Sequence, residues 1–545
     1  MLVVEWRKEV SMNKIAKYLN QHLVGNAYAD DAVLERFSTD KSILKIKPQV
    51  VVVPRVTDDV RKLVRFAHQM TEKGIKVGVT PRGNGNDKTG AAIGEGVVVA
   101  VGDGMKKFLE IDVRKRLVRV QPGLTIGELN GALALYGMKV PVEPGYSGHT
   151  IGGMIANGLV GERSAQGGRI DEYVEQVEVV LASGEVIQTE RLSRRELNRK
   201  KGLQSLEGEI YRELDNLLED KADAIRDLIN EDSLDNAGYE AIKIVKAKDG
   251  SFDLTPMFFA SQGTLGVVVE VILRAEFASD EAEYVLAEFE NLDVARDVID
   301  AAIKLEPSVL DMYDAAVVKE VRKYGKVVDV GEGEFTSKVS LLIGFGGQGK
   351  SKRKLRRMEK FLAKLEGVRF VTTDDVEEEK LIKMRDVVNL YLNSSTKGVR
   401  VPVFDGASVP TGFLGEYINQ VAALGKKFGV EMSVYGSVLN EIYNVRPGFD
   451  LGSLSDRQSI FKIMTEYAAV VSACEGTLTG SGAEGRVKSL TVQKGMNEQL
   501  VEINEKVKEI FDPKGILNPG VKVGVEVKDL VSALRKDYRE GIIRE

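Results

Sequence analysis

The chain has 545 residues but only one cysteine and three histidines. Cys474 alone can form no disulfide within the chain and cannot supply the ligands of an iron–sulfur cluster. The histidines, His22, His68 and His149, are far apart in the sequence, which argues against a histidine-rich metal site. We therefore expect a reduced compartment and no bound metal.

Long apolar runs and a basic composition are also missing. No stretch approaches the roughly 18 apolar residues of a membrane helix, and charge appears too early at the N-terminus for a signal peptide. The net charge is −6, whereas proteins that bind nucleic acid usually carry a basic surface. We expect a cytoplasmic protein with no membrane span and no nucleic-acid partner.

The pattern along the chain indicates more than one domain, since about 150 residues per domain is typical. Residues 1–45 predict a helical lead-in. Residues 46–278 begin with strand–helix–strand and a glycine loop, which is typical of α/β structure, and they contain a charged segment at 190–235 that predicts a solvated helical insertion. Residues 279–520 predict a second domain, and residues 521–545 a charged helical tail.

Three glycine-rich loops are candidates for binding phosphate, because glycine permits positive φ and close approach of a ligand to the backbone. The first two are 81–86, directly after a strand, and 150–158. The third, 344–351, fits the P-loop pattern at every position. Its only nearby candidate for a second acidic strand, ending at Asp374, is interrupted by Arg369. We favour a glycine-rich strand–helix turn there, with a nucleotide loop as the alternative.

With their neighbours, the first two loops resemble the FAD-binding domain of the vanillyl-alcohol oxidase and p-cresol methylhydroxylase (PCMH) superfamily. The other segments that carry this resemblance are 50–55, 120–123, 164–168, 179–184 and 261–267. The second half resembles the C-terminal domain of FAD-linked oxidases, which occurs in glycolate oxidase and in D-lactate and D-2-hydroxyglutarate dehydrogenases. Its matching segments are 409–410, 445–447, 476–480 and 511–520.

The resemblance implies an α+β fold. Residues 46–278 would form a PCMH-type FAD-binding domain of two subdomains. Residues 279–520 would form an α+β cap domain, an FAD-linked oxidase C-terminal domain, with an antiparallel sheet that carries helices on one face. The final segment of the cap would return to the FAD domain.

The resemblance also implies FAD as a non-covalent cofactor, because relatives that tether FAD in the first loop have a histidine about where Asn86 stands. The pyrophosphate would lie on backbone amides of 82–86 and 150–153, the flavin near 144–145, 157–167 and Asn518, and the adenine near 267–268. The implied FAD ligands are Arg82, Gly83, Asn84, Gly85, Asn86, Pro144, Gly145, Thr150, Ile151, Gly152, Gly153, Asn157, Gly158, Ser164, Gly167, Val267, Val268 and Asn518.

The sequence departs from the resemblance at the positions that would carry the chemistry. Hydroxy-acid dehydrogenases of this family have two metal-binding histidines, a metal-binding glutamate and a catalytic histidine. The matching positions here are Ser437, Asn444, Ser481 and Gly482. Neutral oxygens give too little charge to hold a divalent metal. We therefore reject the metal-assisted 2-hydroxy-acid mechanism.

The resemblance implies an FAD-dependent oxidoreductase that passes hydride from a small substrate to flavin N5, with an external electron acceptor or redox partner protein. Arg385, Arg446 and Arg486 are candidates for holding a substrate carboxylate, because guanidinium groups bind carboxylates through two hydrogen bonds. The candidates for proton transfer are Tyr443, Tyr435, Glu441, Glu484 and Lys488. The alternative is a catalytically altered FAD-binding or scaffold subunit of a larger complex.

Overall fold

The computed structural model describes residues 12–161, 168–229, 235–278, 282–322, 330, 335–346, 350–386, 399–536 and 538. Two α+β halves follow each other along this chain, and the division between them falls near residue 280. The predicted FAD ligands Ser164 and Gly167 lie outside the described residues, as do residues 347–349 of the third glycine loop.

Short strands and helices alternate through the first half. Its strands are β1 (Asn26–Tyr28), β2 (Val50–Val53), β3 (Val79–Arg82), β4 (Val97–Ala100), β5 (Phe108–Asp112), β6 (Leu117–Val120), β7 (Met138–Lys139), β8 (Val174–Val180), β9 (Val186–Gln188), β10 (Val267–Arg274) and β11 (Glu276–Phe277). Its helices are α1 (Met12–His22), α2 (Asp31–Arg36), α3 (Thr57–Glu72), α4 (Val101–Gly104), α5 (Ile126–Ala134), α6 (Ile151–Asn157), α7 (Arg194–Lys201), α8 (Leu206–Asp220) and α9 (Ala222–Ile229).

The first subdomain is a four-stranded sheet in the order β1-β2-β4-β3. The strands β2, β4 and β3 are parallel, and their valines are buried against α3. The predicted helical lead-in also contains β1, which pairs antiparallel with β2 and extends this sheet. The lead-in therefore packs as part of the first subdomain.

The second subdomain is a five-stranded antiparallel sheet in the order β5-β6-β10-β8-β9. The charged insertion is not solvated on all sides, which corrects that expectation. Helix α8 buries Ile210, Tyr211 and Leu214 in the core of this subdomain, because apolar residues recur every three to four positions among its charged ones.

The second half has longer helices. Its strands are β12 (Ala282–Phe289), β13 (Val309–Asp314), β14 (Val339–Gly346), β15 (Val368–Thr372), β16 (Val399–Arg400), β17 (Ala407–Ser408), β18 (Val434–Ser437), β19 (Ile442–Val445) and β20 (Gly448–Phe449). Its helices are α10 (Leu292–Ile303), α11 (Ala315–Arg322), α12 (Ser351–Leu362), α13 (Glu378–Ile382), α14 (Leu414–Phe428), α15 (Leu454–Ala473), α16 (Ser489–Gly495), α17 (Glu498–Phe511) and α18 (Val527–Ala533).

A seven-stranded antiparallel sheet forms the centre of the second half, in the order β15-β12-β14-β13-β18-β19-β17. Helices α10, α12, α14 and α15 pack on one face. Helices α11 and α13 cover part of the other, which corrects the expectation of helices on one face only. The physical reason is that β13 is apolar on both faces, with Leu310 and Met312 on one side and Val309 and Tyr313 on the other.

The end of the second half returns to the first. Val79 of β3 donates its N–H to the carbonyl of Ile516 at 2.8 Å and accepts from the N–H of Asn518 at 2.8 Å. This return was implied by the resemblance. Among the described helices, none combines the length and the apolar character that crossing a membrane requires.

The third glycine loop begins within β14, since residues 344–346 are the end of that strand, which lies inside the antiparallel sheet. Gly344 is paired with Tyr284 on one side and Val309 on the other. In open α/β sheets, ligands bind beyond the carboxyl ends of parallel strands. An antiparallel setting favours the strand–helix turn over the nucleotide loop.

Candidate cofactor cleft and substrate face

A cleft lies between the two subdomains of the first half, and the space in it and at its mouth, which is open to solvent, is about 870 Å³. Residues from the end of β3, the start of α6 and the segment before β10 line it. Ten of the predicted FAD ligands are among its lining residues, namely Arg82, Gly83, Asn84, Gly85, Asn86, Thr150, Gly152, Gly153, Asn157 and Val268.

The first loop offers backbone donors to the cleft. In the described chain, the N–H groups of Asn84, Gly85 and Asn86 donate to no protein acceptor. Gly85 has φ +71°, a conformation that glycine adopts without strain. A Cβ on Gly83 would stand 2.1 Å from Thr150 Oγ1, so the loop lies directly against the start of α6. These features fit a phosphate cradle.

Arg82 supports this loop from beneath. Its guanidinium is buried, donates to the carbonyl of Ala92 at 3.1 Å and stacks over the ring of Phe37 at 5.2 Å. A Cβ on Gly85 would stand 2.1 Å from Arg82 Nη2. Burial lowers the pKa of Arg82, and Asp40 and Asp103 oppose that effect.

Several backbone N–H groups at the start of α6 already form hydrogen bonds within the protein. Thr150 caps the helix, and its Oγ1 accepts from the N–H of Gly153 at 3.3 Å. The N–H groups of Ile151 and Gly152 donate to the carbonyls of Leu124 and Pro122, both at 2.9 Å. The amide donors available to phosphate are therefore those of the first loop, and α6 contributes mainly shape and the positive end of its helix dipole.

Several predicted ligands support the walls rather than line the cleft. The side chain of Asn518 accepts from Thr80 Oγ1 at 3.1 Å and donates to the carbonyls of Ala91 and Gln262 at 2.8 and 2.7 Å. Asn518 thus ties the returning chain to both walls. The predicted ligands that are not lining residues are Pro144, Gly145, Ile151, Gly158, Val267 and Asn518.

Gln262 is a lining residue that the sequence analysis did not select. It has φ +50°, and its side chain donates to Asn157 Oδ1 at 3.0 Å and accepts from the N–H of Gly485 at 2.8 Å. It joins the cleft to the loop that carries Ser481 and Gly482. Segment 261–267 belonged to the resemblance, so the signal was present but was not assigned to single residues.

His149 also lines the cleft. Burial lowers its pKa to about 3, and the charges of Lys88 and Lys41 add to that effect. The imidazole is therefore neutral at physiological pH. Together with Asn86 it adds polar side chains to the lining of the cleft.

The sequence departs from the hydroxy-acid dehydrogenases at four positions, which we call the departing positions, and all four lie in the second half. The side chains at three of them form hydrogen bonds within the protein. Ser437 Oγ accepts from Asn440 at 3.1 Å, Asn444 Oδ1 accepts from the N–H of Gly406 at 3.0 Å, and Ser481 Oγ accepts from the N–H of Val160 at 3.2 Å. The fourth, Gly482, has φ +85° and faces Asn157. Among the described residues, no group of three His, Cys, Asp or Glu side chains is arranged to hold a metal.

The three candidate arginines are buried and already engaged. Arg385 Nε lies 2.7 Å from Asp311 Oδ2, and Arg446 Nη2 lies 2.7 Å from Asp405 Oδ2. Arg486 donates to the carbonyls of Gly90 and Pro519. In the described structure none of the three lines the cleft, so their direct contact with a substrate stays a prediction.

Tyr443 lies on the other face of β19 from the departing position Asn444, and its role in proton transfer stays a prediction. Alternate residues of β19 point to opposite faces, so Tyr443 lies opposite Asn444. Its buried hydroxyl finds no hydrogen-bond partner in the described residues, and burial raises its pKa well above the usual value. Tyr435 pairs with Asn444 across the strands and shares its face.

Comparison with known proteins explains the two halves. Residues 48–190 match the family described as FAD binding domain, and residues 279–521 match the family described as FAD linked oxidases, C-terminal domain. The chain belongs to the FAD-linked oxidases. Its cleft lies largely within the first matched segment, and the departing positions lie in the second.

Relatives of this FAD-linked oxidase include D-2-hydroxyglutarate dehydrogenase of Pantoea ananatis, 25% identical over 91% of this chain and 49% of that protein. Glycolate oxidase subunit GlcD of Bacillus subtilis is 24% identical over 90% and 92% of the two chains. The chain spans about half the length of the first curated relatives it matches. The solved structure of p-cresol methylhydroxylase has the same fold, with TM-score 0.68, 14% identity and coverage of 94% and 97%.

A charged cluster connects the two halves of this FAD-linked oxidase. We call it the Asp405 cluster, and it consists of Asp405, Arg446, Lys88 and Lys488. Asp405 accepts from Arg446 Nε and Nη2, its Oδ2 lies 2.7 Å from Lys88 Nζ, and its carbonyl accepts from Lys488 Nζ. Burial acts to raise the pKa of Asp405, but Arg446 and Lys88 outweigh it and hold the pKa well below its usual range.

Proposed function

We propose that this chain is an FAD-dependent oxidoreductase that binds FAD non-covalently in the cleft and oxidises a small anionic substrate. When bound, FAD would accept hydride from the substrate, and an external acceptor or redox partner would then take the electrons. The single observation that carries the proposal is the glycine-rich first loop, which lines the cleft and has three backbone N–H groups that donate to no acceptor among the described residues.

Different residues of the chain would bind the cofactor and the substrate. The first loop would hold the pyrophosphate through its N–H groups, and Arg82 would keep that loop in place. Asn518 would fix the distance between the walls, and Gln262 would link the cleft to the second half. Polar groups on the side of the second half would bind and orient the substrate.

Non-covalent binding is supported by the residues at the cleft. Asn86 stands where a tethering histidine would be expected, and it donates to the carbonyl of Gly148 at 3.4 Å. Cys474 is buried in the core of the second half. Among the described lining residues, His149 is the remaining side chain able to form such a link.

A second candidate function is an FAD-binding subunit without substrate chemistry of its own. The observation that favours it is the internal bonding of Ser437, Asn444 and Ser481, which leaves these side chains committed to the protein. In that case FAD would bind, and small 2-hydroxy acids and related carboxylates would leave it oxidised.

An absorption spectrum of the purified protein, before and after acid precipitation, tests the proposal. We expect a flavin spectrum that moves to the supernatant. Flavin that stays with the pellet would contradict non-covalent binding and direct attention to His149. A colourless protein that cannot be reconstituted with FAD would overturn the proposal. Adding small carboxylates under anaerobic conditions then distinguishes the two candidate functions, because an oxidoreductase loses its flavin absorbance with an active substrate and the subunit does not.

A further inference from the structure

Within the Asp405 cluster, Lys88 is the most exposed side chain and the member that adjoins a cleft-lining residue in the sequence. Its side chain is 27% exposed, whereas those of Asp405 and Arg446 are 4% and 5% exposed. Lys88 directly follows Asp87, which lines the cleft. Together with burial, the charge of Lys88 lowers the pKa of His149, another lining residue.

The position of the ammonium is fixed by its neighbours. Asp405 holds Lys88 Nζ at 2.7 Å, and Arg446 holds Asp405 through three hydrogen bonds of 2.7 to 3.0 Å. The next residue, Thr89, accepts through its carbonyl from the N–H groups of Arg486 and Val487 at 2.9 and 3.0 Å. A cation held in this way loses little conformational freedom when a ligand binds.

The surroundings of Asp405 are positively charged. Lys88 and Arg446 contact its carboxylate, and Lys488 donates to its carbonyl and to that of Leu478. In the described residues Lys488 has no carboxylate within 4.0 Å. Cationic groups brought together in a region shielded from water attract small anions more strongly than exposed ones do.

We propose that Lys88 binds the anionic end of a small carboxylate substrate at the border between the cleft and the second half, with Arg446 and Lys488 reinforcing the local positive charge. The proposal rests on the proposed function and specifies its substrate class. We assign this role to Lys88 and not to Arg385, because Arg385 is engaged with Asp311 on the large sheet.

Oxalate binding, measured by calorimetry on the purified protein as it comes with its cofactor, tests this role. We expect oxalate to bind wild type and to bind Lys88→Gln about 10- to 100-fold more weakly, because a hydrogen bond to a charged group is lost. Lys88→Arg should stay within about threefold of wild type, since it keeps the charge. Lys45→Gln is the matched control, because Lys45 pairs with Glu35 on the surface, and its oxalate affinity should not change.

Two results would overturn the proposal. One is oxalate affinity that is equal in wild type and Lys88→Gln, or absent in wild type. The other is oxalate affinity that disappears when wild type is dialysed against a chelator, since a metal would then be the anion's partner. Flavin absorbance recorded on the same samples separates these results from failure of the proposed function, because a protein without flavin can still be titrated with oxalate. If Lys88→Gln does not fold, the salt dependence of wild-type affinity decides, and an affinity that does not weaken with added salt contradicts an ionic contact.

Discussion

The first half of this FAD-linked oxidase builds its candidate site from backbone, and the second half builds its own from charged side chains. In the cleft, glycines place N–H groups and leave room for a ligand. Around Asp405 and Asp311, buried arginines and lysines are held by carboxylates and carbonyls. A backbone site is sensitive to added atoms, whereas a charged network is sensitive to the removal of one partner.

The largest expected effect comes from a substitution that disrupts the backbone site. A Cβ on Gly83 would stand 2.1 Å from Thr150 Oγ1, so we expect Gly83→Val to displace the loop and abolish FAD binding. Flavin absorbance per protein after purification measures this. Gly131→Ala is the matched control, because Gly131 lies in α5 with nothing within 4 Å of an added Cβ, and it should keep full flavin. A fully loaded Gly83→Val protein would contradict the placement of FAD.

The next effect breaks the charged network instead. Arg446→Met leaves the Asp405 carboxylate buried beside Lys88 without its main partner. Breaking a buried ion pair costs about 3–5 kcal/mol, so we expect that loss in the free energy of unfolding, measured by chemical denaturation. Arg226→Met is the control, since its pair with Asp223 is exposed and should contribute less than about 1 kcal/mol. Similar losses in the two variants would contradict the comparison.

A third prediction sharpens the comparison. It concerns Asp40, a titratable group that interacts with Arg82 and Asp87 next to the backbone site. Burial raises the pKa of Asp40 to about 7, and Asp87 adds to the rise. The folded protein then holds this proton more tightly than the unfolded chain, so Asp40 costs stability that grows from about pH 4 to about pH 7 and stays constant above. We expect Asp40→Asn to gain between about 1 and 4 kcal/mol over wild type across that window.

Unfolding free energies of wild type and Asp40→Asn at pH 4.5, 6 and 8 measure this gain. Asparagine can still accept from the N–H and hydroxyl of Ser42, so the local hydrogen bonds are kept. The exposed Asp31, which pairs with Lys47, is the control, and Asp31→Asn should follow wild type at every pH. A constant difference between Asp40→Asn and wild type would show that Asp40 does not titrate in this range.

The same contrast explains what the sequence could predict. Glycine loops leave a local pattern, so the first loop and the start of α6 could be singled out from the sequence. The FAD-binding fold was implied by the resemblance that these loops and their neighbours carry. The antiparallel sheet of the second half followed from the resemblance. Helices on its second face were missed, because β13 is apolar on both sides and its neighbours in space are distant in sequence.

The side-chain network was beyond prediction for a physical reason. Lys88 and Asp405 are more than 300 residues apart, and no local pattern indicates that they meet. Arg446 was predicted to bind a carboxylate of the substrate, yet in the structure it binds the carboxylate of Asp405. Tyr443 was selected because a tyrosine can transfer a proton, and residue type alone does not indicate which face of β19 the residue occupies.

The smallest expected effect concerns metal, and it separates this chain from an enzyme that binds substrate through a divalent cation. Ser437, Asn444 and Ser481 would each have to give up a hydrogen bond within the protein to face a metal, and neutral oxygens return little in exchange. We expect dialysis against EDTA to leave flavin content, melting temperature and the rate of flavin reduction by any active substrate unchanged. Added Zn²⁺ or Mn²⁺ should also have no effect. A rate that falls with EDTA and returns with one of these ions would mean that the second half assembles a metal site from other residues, and the role given to Lys88 would then pass to that metal.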